Sequence, residues 1–348
     1  MGAVSQEAIW ELKALMDRGF LYFALWAVDE LLKRTFENVH QGYLTETLVR
    51  FLKAREGNVA KAHKMLLDCL NWRIQNEIDN ILAKPIIPTD LYRSVRDSQL
   101  IGLSGYSREG LPVFAVGLGL STFDKASVHY YVQSHIQINE YRDRVILPAA
   151  SKKHGRPITT CLKILDMTGL KFSALNQIKL LTLISTVDDL NYPEKTNTYY
   201  IANAPYIFSA CWKVVKPLLQ ERTRRKVKVL SGSGRQELLE IMDEASLPHF
   251  IKREGSGSGS SRFSGQGNEN CFSLDHPFHW DLYNYMKEQS LIREPVAPVK
   301  QGSFHVSVPD PRPEGTEIAK TIESEFQKIE NSNGLSQSIN GMKINGGD

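Results

Sequence analysis

The chain predicts an α/β fold: a mixed, largely parallel sheet preceded by a small all-helical module. Three observations carry this reading. Residues 29–80 hold helical patterns with no strand between them. From about residue 98 to 250, short apolar runs alternate with helical segments. A Gly/Ser tract then ends the pattern after Phe250. Strands alternating with helices call for helical crossovers, which join parallel neighbours in one sheet.

In the helical module, Leu44 to Ala54 places Leu48, Phe51 and Leu52 at helical spacing, and Gly57 ends the run. Asn58 suits the cap of a second helix with Val59, Ala62, Leu66, Cys69 and Trp72 on one side. Pro85 and Pro88 mark the boundary of the module. Beyond it, Leu100–Leu103 and Val113–Val116 flank the turn-rich SGYSREG and read as a hairpin. A long helix is expected from Ser121 to about Ile146, then a buried strand from Thr159 to Met167 and a helix from Leu175 to Leu190. Thr198–Asn203 and Val227–Leu230 read as strands, Tyr206–Leu219 and Gln236–Met242 as helices.

The boundaries follow. Residues 1–28 form an N-terminal segment with an apolar insert, Gly19–Val28; residues 29–85 are the helical module; residues 86–253 are the α/β lobe. Residues 254–270 are a Gly/Ser linker. Residues 271–348 are a mostly disordered tail with one short helix, docked through Phe278, Leu282, Tyr285 and Met286.

At 348 residues, 42% hydrophobic and 23% charged, the composition is that of a globular protein with a sizeable core. A net charge of +3 is too small to imply nucleic acid. Four cysteines without a CxxC pair read as buried thiols of a reducing compartment. MGAVSQEAIWELK has no early apolar stretch, and Gln6 stands where an N-myristoylation signal needs Ser or Thr. No apolar run reaches the roughly 20 residues that span a bilayer.

Charge is local in this chain. The apolar stretch Tyr206–Leu219 is followed at once by Arg222, Arg224, Arg225, Lys226 and Lys228. An oily helix beside concentrated positive charge suits contact with an anionic bilayer, although a core helix and a solvated charge run would look the same. Catalytic signatures are missing: no HExxH, no GxSxG, no Walker P-loop, and a GxG at Gly117 and Gly119 without its third glycine. His129 and His135 sit six apart on one helix and do not make a metal site. Asp188, Asp189 and Glu194 form an acidic cluster in which Glu194 needs a cationic partner, for which Lys226 is a candidate.

Several blocks in order, FLKAREGNVAKAHKMLLDCLNWR, GLPVF, LKILDMTGL, LNYPEKTNTYYIANAPYIFSACWKVVKPLL and SLPHF, resemble the CRAL-TRIO lipid-binding family. The resemblance is to the branch typified by the yeast secretory phosphatidylinositol/phosphatidylcholine transfer protein and its plant members, and covers about residues 29–251. It implies a helical module on an α/β lobe whose sheet floors an apolar cavity for one phospholipid, closed by a mobile gate helix. The gate then falls on Tyr206–Leu219, with Phe208, Trp212 and Val215 facing the cavity and Tyr200 and Ile164 on its floor. The resemblance places the headgroup site at Arg55, Pro112, Glu194, Thr223 and Lys226. Charge alone assigns Arg222, Arg224 and Arg225 to the membrane surface. Glu56 stands where the family has lysine, Ser107 replaces an acidic turn residue, and Cys161 and Lys163 replace the small hydroxyls that serve phosphatidylcholine.

The expectation is therefore a non-enzymatic, monomeric phosphatidylinositol-binding and transfer protein. It needs no cofactor or metal beyond its phospholipid, binds no nucleic acid, and is cytoplasmic and peripheral to membranes such as the Golgi. The alternatives are a carrier of a tocopherol-, retinoid- or sterol-like ligand on the same fold, an acyl hydrolase, and an interaction module acting through its tail.

Overall fold

The computed structural model describes residues 4–22, 28–171, 177–219, 221–252, 269–292 and 313–342. The helical module comprises α1 (Gln6–Tyr22), α2 (Val28–His40), α3 (Leu44–Ala54) and α4 (Val59–Gln75). Asn58 caps α4 by accepting from the Lys61 amide at 2.9 Å. Leu48, Phe51, Leu52, Leu66 and Leu70 fill the module's core together with Ile9, Leu12 and Met16 of α1. The module core therefore draws on residues ahead of position 29. Residues 23–27 of the apolar insert lie outside the described residues.

A 3-10 turn (Ile78–Ala83) and α5 (Thr89–Gln99) lead into the lobe. Its sheet contains β1 (Ile101–Tyr106), β2 (Pro112–Val116), β3 (Cys161–Asp166), β4 (Thr196–Ala202) and β5 (Val227–Val229), in that spatial order. The first pair is an antiparallel hairpin and the remaining pairs are parallel, as the alternating pattern requires. One irregularity interrupts the β3–β4 ladder: Cys161 pairs with Thr196 but Leu162 pairs with Thr198, so Asn197 is an extra residue on β4.

The crossovers are α6 (Val128–Tyr141), continued through a π turn at Arg142–Ile146 into α7 (Leu147–His154), then α8 (Ile178–Asn191), and α9 (Tyr206–Val215) with α10 (Glu221–Lys226). One face of the sheet is packed solid: Val113, Leu162, Ile164, Tyr200 and Ala202 meet Leu238 and Met242 from and beyond α11 (Arg235–Leu239), and Ile251 of α12 (His249–Lys252). The other face carries α6 and α8.

After the Gly/Ser tract the chain returns to the body. Its backbone crosses β1 so closely that a Cβ on Gly102 would lie 1.8 Å from the Cys271 carbonyl oxygen, which only glycine permits. Next comes α13 (Pro277–Ile292), with Phe278, Leu282 and Met286 buried and Phe278 set edge-on against Phe114. His279 is buried; desolvation, then the adjacent Arg96, pushes its pKa well below the usual histidine range. The neutral ring donates from Nε2 to the Cys271 carbonyl at 2.9 Å and accepts at Nδ1 from Arg96 at 3.0 Å. Residues 313–342, which composition assigned to an irregular tail, form a second helix, α14 (Pro313–Met342). Ile318, Ile322 and Phe326 recur at i, i+4 and i+8 within its polar sequence and lie against the lobe.

Candidate lipid-binding site

A cavity of about 570 Å³ opens on the α6–α8 side of the sheet. Its floor is Lys163 and Leu165 of β3 with Tyr199 and Ile201 of β4. The sequence expectation named Ile164 and Tyr200; both belong instead to the solid core on the opposite face. Successive strand residues point to opposite faces, so the expectation was one residue out of phase. The gate residues Phe208, Trp212 and Val215 of α9 do line the cavity. Phe208 and Trp212 stack with their ring centroids 6.0 Å apart.

A cationic rim borders the cavity where α3 ends, β4 begins and α10 turns into β5. Glu194 precedes β4 in a left-handed backbone conformation (φ 59°). Its carboxylate accepts from Lys226 Nζ at 2.6 Å and lies 3.8 Å from Arg222 Nη1. Arg222 also donates to the Ala54 carbonyl at 2.6 Å, and the Arg55 guanidinium donates to the same oxygen at 3.0 Å. Two arginines thus converge on the carbonyl end of α3, where the helix dipole is negative. Thr223 lines the cavity beside them. Lys226 and Arg222 therefore flank one carboxylate at the rim, with Thr223 in the same lining and Arg55, an expected headgroup residue, outside it.

Two expected assignments change. Arg222 is not a surface cation: its side chain is 12% exposed and turns inward. On a helix, residues 222, 223 and 226 share one side, whereas Arg224 and Arg225 lie on the other, both paired with Glu221. Pro112 is buried at the start of β2, outside the cavity lining. Three strand spacings separate it from β5, roughly 14 Å.

The cavity wall also holds a polar network that the motif scan missed. Asp188 of α8 meets His135 Nε2 at 2.7 Å, the Asn139 amide at 2.7 Å and Lys163 Nζ at 3.5 Å. Burial alone would raise its pKa, but His135 and Lys163 hold it below the ordinary carboxylate range. Behind it, Glu140 accepts from Arg73 at 2.8 Å and from the Tyr192 hydroxyl at 2.7 Å, and Arg144 lies 2.6 Å away. Burial opposes ionisation there too, yet these partners pull Glu140 down to about 2. The π turn brings Arg142 and Asp143 into the same layer, with Lys195 Nζ 3.0 Å from Asp143. Burial, then Arg50, lowers Lys195 to about 7. Arg142 Nη2 is buried without a hydrogen-bond partner in a side chain that lines the cavity. The available signal was the i, i+4 spacing of His135 with Asn139 and of Glu140 with Arg144.

No group of side chains able to hold a metal occurs among the described residues. All four cysteines are unpaired and buried. None of the described helices is long and apolar enough to cross a membrane.

A helical module set on an α/β lobe, with an apolar cavity floored by the sheet, is the architecture that the sequence blocks implied. The CRAL/TRIO N-terminal domain profile matches residues 8–68 and the CRAL/TRIO domain profile matches residues 96–252. The chain belongs to the CRAL/TRIO family. Among curated proteins, this CRAL/TRIO chain is 32% identical over 218 residues to phosphatidylinositol/phosphatidylcholine transfer protein SFH9 of Arabidopsis thaliana, covering 61% of this chain and 37% of that one. It is 33% identical over 233 residues to the Arabidopsis thaliana protein of the same description, SFH12, covering 64% and 41%. It is 29% identical over 209 residues to the SEC14 cytosolic factor of Eremothecium gossypii, covering 58% and 67%. The chain thus spans about two fifths of the length of the plant relatives. The crystal structure of Sfh5 superposes with a TM-score of 0.53 at 18% identity, over 83% of this chain and 99% of that one, a likeness of fold. The N-terminal domain profile over residues 8–68 also takes in most of α1, in agreement with its place in the module core.

Proposed function

We propose that this chain binds and transfers single phospholipids, with phosphatidylinositol as cargo, as a monomer acting peripherally on anionic membranes of the cytoplasm. The observation that carries the reading is the junction of an apolar cavity with a cationic rim at Glu194, Arg222, Thr223 and Lys226. Acyl chains gain about 0.8 kcal/mol per buried CH₂, so a lipid in transit needs a dry enclosure. A phosphodiester at the rim would take Lys226, Arg222 and the Thr223 hydroxyl as charge-assisted donors, displacing Glu194 from Lys226. Glu194 thus serves as a counter-ion that offsets part of the rim's positive charge when no lipid is bound. The names of the plant relatives, which are transfer proteins for phosphatidylinositol and phosphatidylcholine, support the same reading. Phosphatidylinositol is favoured over phosphatidylcholine because Lys163 stands on the cavity floor in place of a small hydroxyl that the family resemblance assigns to phosphatidylcholine.

The test is vesicle-to-vesicle transfer of labelled phosphatidylinositol by an Arg222→Ala/Lys226→Ala double variant, with circular dichroism confirming the fold. The expected result is loss of transfer; transfer at the parent rate would refute the headgroup assignment. Native mass spectrometry of co-purifying lipid separates an inositol phospholipid from a sterol- or tocopherol-like cargo.

A further inference from the structure

The cavity has a third wall that neither the strands nor α9 supplies. The helix α14 lies across its mouth, packed on α8 and α9. Gly315, Ile318, Ala319, Ile322 and Phe326 of α14 all line the cavity, and Phe326 is 5% exposed. They face Leu181, Thr182 and Ser185 of α8 and Phe208, Cys211 and Trp212 of α9, which form the two edges of the opening. The strap lies within contact distance of α8: a Cβ on Gly315 would be 3.4 Å from Thr182 Cγ2, an ordinary contact. Cargo passing between α8 and α9 meets this helix first.

The charge of α14 is opposite to that of the surface it guards. Residues 313–330 carry five glutamates and two lysines. The neighbouring α9–α10 stretch carries Lys213, Lys216, Arg224 and Arg225, the last two paired with Glu221. An anionic bilayer seeks the same basic surface and repels the same acidic helix.

We infer that α14 is an autoinhibitory strap over the cavity mouth, released when an anionic bilayer takes its place on the α9–α10 surface. The inference rests on the gated-cavity reading but not on the identity of the cargo. Strapped and open forms are two populations, and the membrane biases them only because it interacts differently with each. A neutral bilayer leaves the strap in place. The excess of glutamates sets membrane selectivity, and the apolar stripe sets how firmly the cavity is closed.

A reversible lock tests this in the full chain. In a Thr182→Cys/Gly315→Cys variant, mild oxidation with diamide ties α14 to α8, while the four native cysteines stay buried. Two readouts are taken: uptake of a dansyl-labelled fatty acid, whose fluorescence reports entry into an apolar cavity, and transfer of labelled phosphatidylinositol between phosphatidylserine-containing vesicles. The expected result is strong slowing of both on oxidation and recovery on reduction. An Ile322→Asp/Phe326→Asp variant, which weakens the strap, should take up the probe several-fold faster than the parent and depend less on phosphatidylserine. Equal probe uptake by the oxidised and reduced lock would overturn the strap. Lock-dependent probe uptake without any phosphatidylinositol transfer would overturn the cargo reading and leave the strap standing.

Discussion

The two faces of the central sheet are built from the same strands but to different ends. On one face Leu162, Ile164, Tyr200 and Ala202 pack against α11 and α12 in a continuous apolar cluster. On the other, Lys163, Leu165, Tyr199 and Ile201 border an open cavity, and buried charges cluster in the layer above. The first face holds the lobe together. The second gives up close packing for a void and keeps its shape through ion pairs and hydrogen bonds between α6, α8 and β3.

That contrast is broken most severely at Glu140, which touches Arg73, Arg144 and Tyr192. Glu140→Leu leaves the buried Arg73 and the partly buried Arg144 short of an anion and should cost about 3–5 kcal/mol in chemical denaturation. Its pH signature has a definite sign. The folded value of about 2 lies below the ordinary 4.5, so the contribution is complete above pH 4.5 and is lost as pH falls toward 2. The full contribution is on the order of 3 kcal/mol. An acid titration of the parent should steepen in that window, and the Leu variant should lose that part of the slope.

The sheet faces themselves are compared by paired truncations. Ile164→Ala opens a cavity in the solid core and should cost about 2–4 kcal/mol, while the folded fraction still loads lipid normally. Leu165→Ala only widens an existing void; about 1 kcal/mol is expected, together with weaker lipid retention. Equal destabilisation at the two positions would show that the front face is packed as tightly as the back.

Smaller effects sharpen the comparison at single charges. Lys163→Thr leaves Asp188 with His135 and Asn139, so stability should change little, but phosphatidylcholine should now compete with phosphatidylinositol in a loading assay. Arg224→Gln/Arg225→Gln should leave stability within about 0.5 kcal/mol. It should weaken binding to phosphatidylserine vesicles by about 1 kcal/mol per residue, an effect that high salt erases in a sedimentation assay.

The strand and helix order was legible because alternation and turn chemistry agree along the lobe. Facing was not. Strands covered on both sides are apolar on both sides, so Tyr199-Tyr200-Ile201 offers no alternation to tell cavity from core. The run Arg222–Lys226 looked uniform for a related reason: charge is visible in sequence, but the helical turn that sends residues 222, 223 and 226 inward and 224 and 225 outward belongs to α10. The buried network was readable only as isolated pairs, because Asp188 meets His135 across 53 positions. α14 escaped because three apolar residues in thirty carry its contact and the surrounding composition masks them.

The extra residue Asn197 bears on how this protein tolerates change in length. Every side chain of β4 beyond it keeps its face by counting from that point. A substitution in this strand alters one contact. An in-frame loss of one residue between Asn197 and Ile201 would turn the whole segment over, carrying cavity side chains into the core and core side chains into the cavity. Insertions and deletions here are therefore a more severe class of lesion than any single replacement, and homologous variation should enter β4 through residue identity while its residue count stays constant.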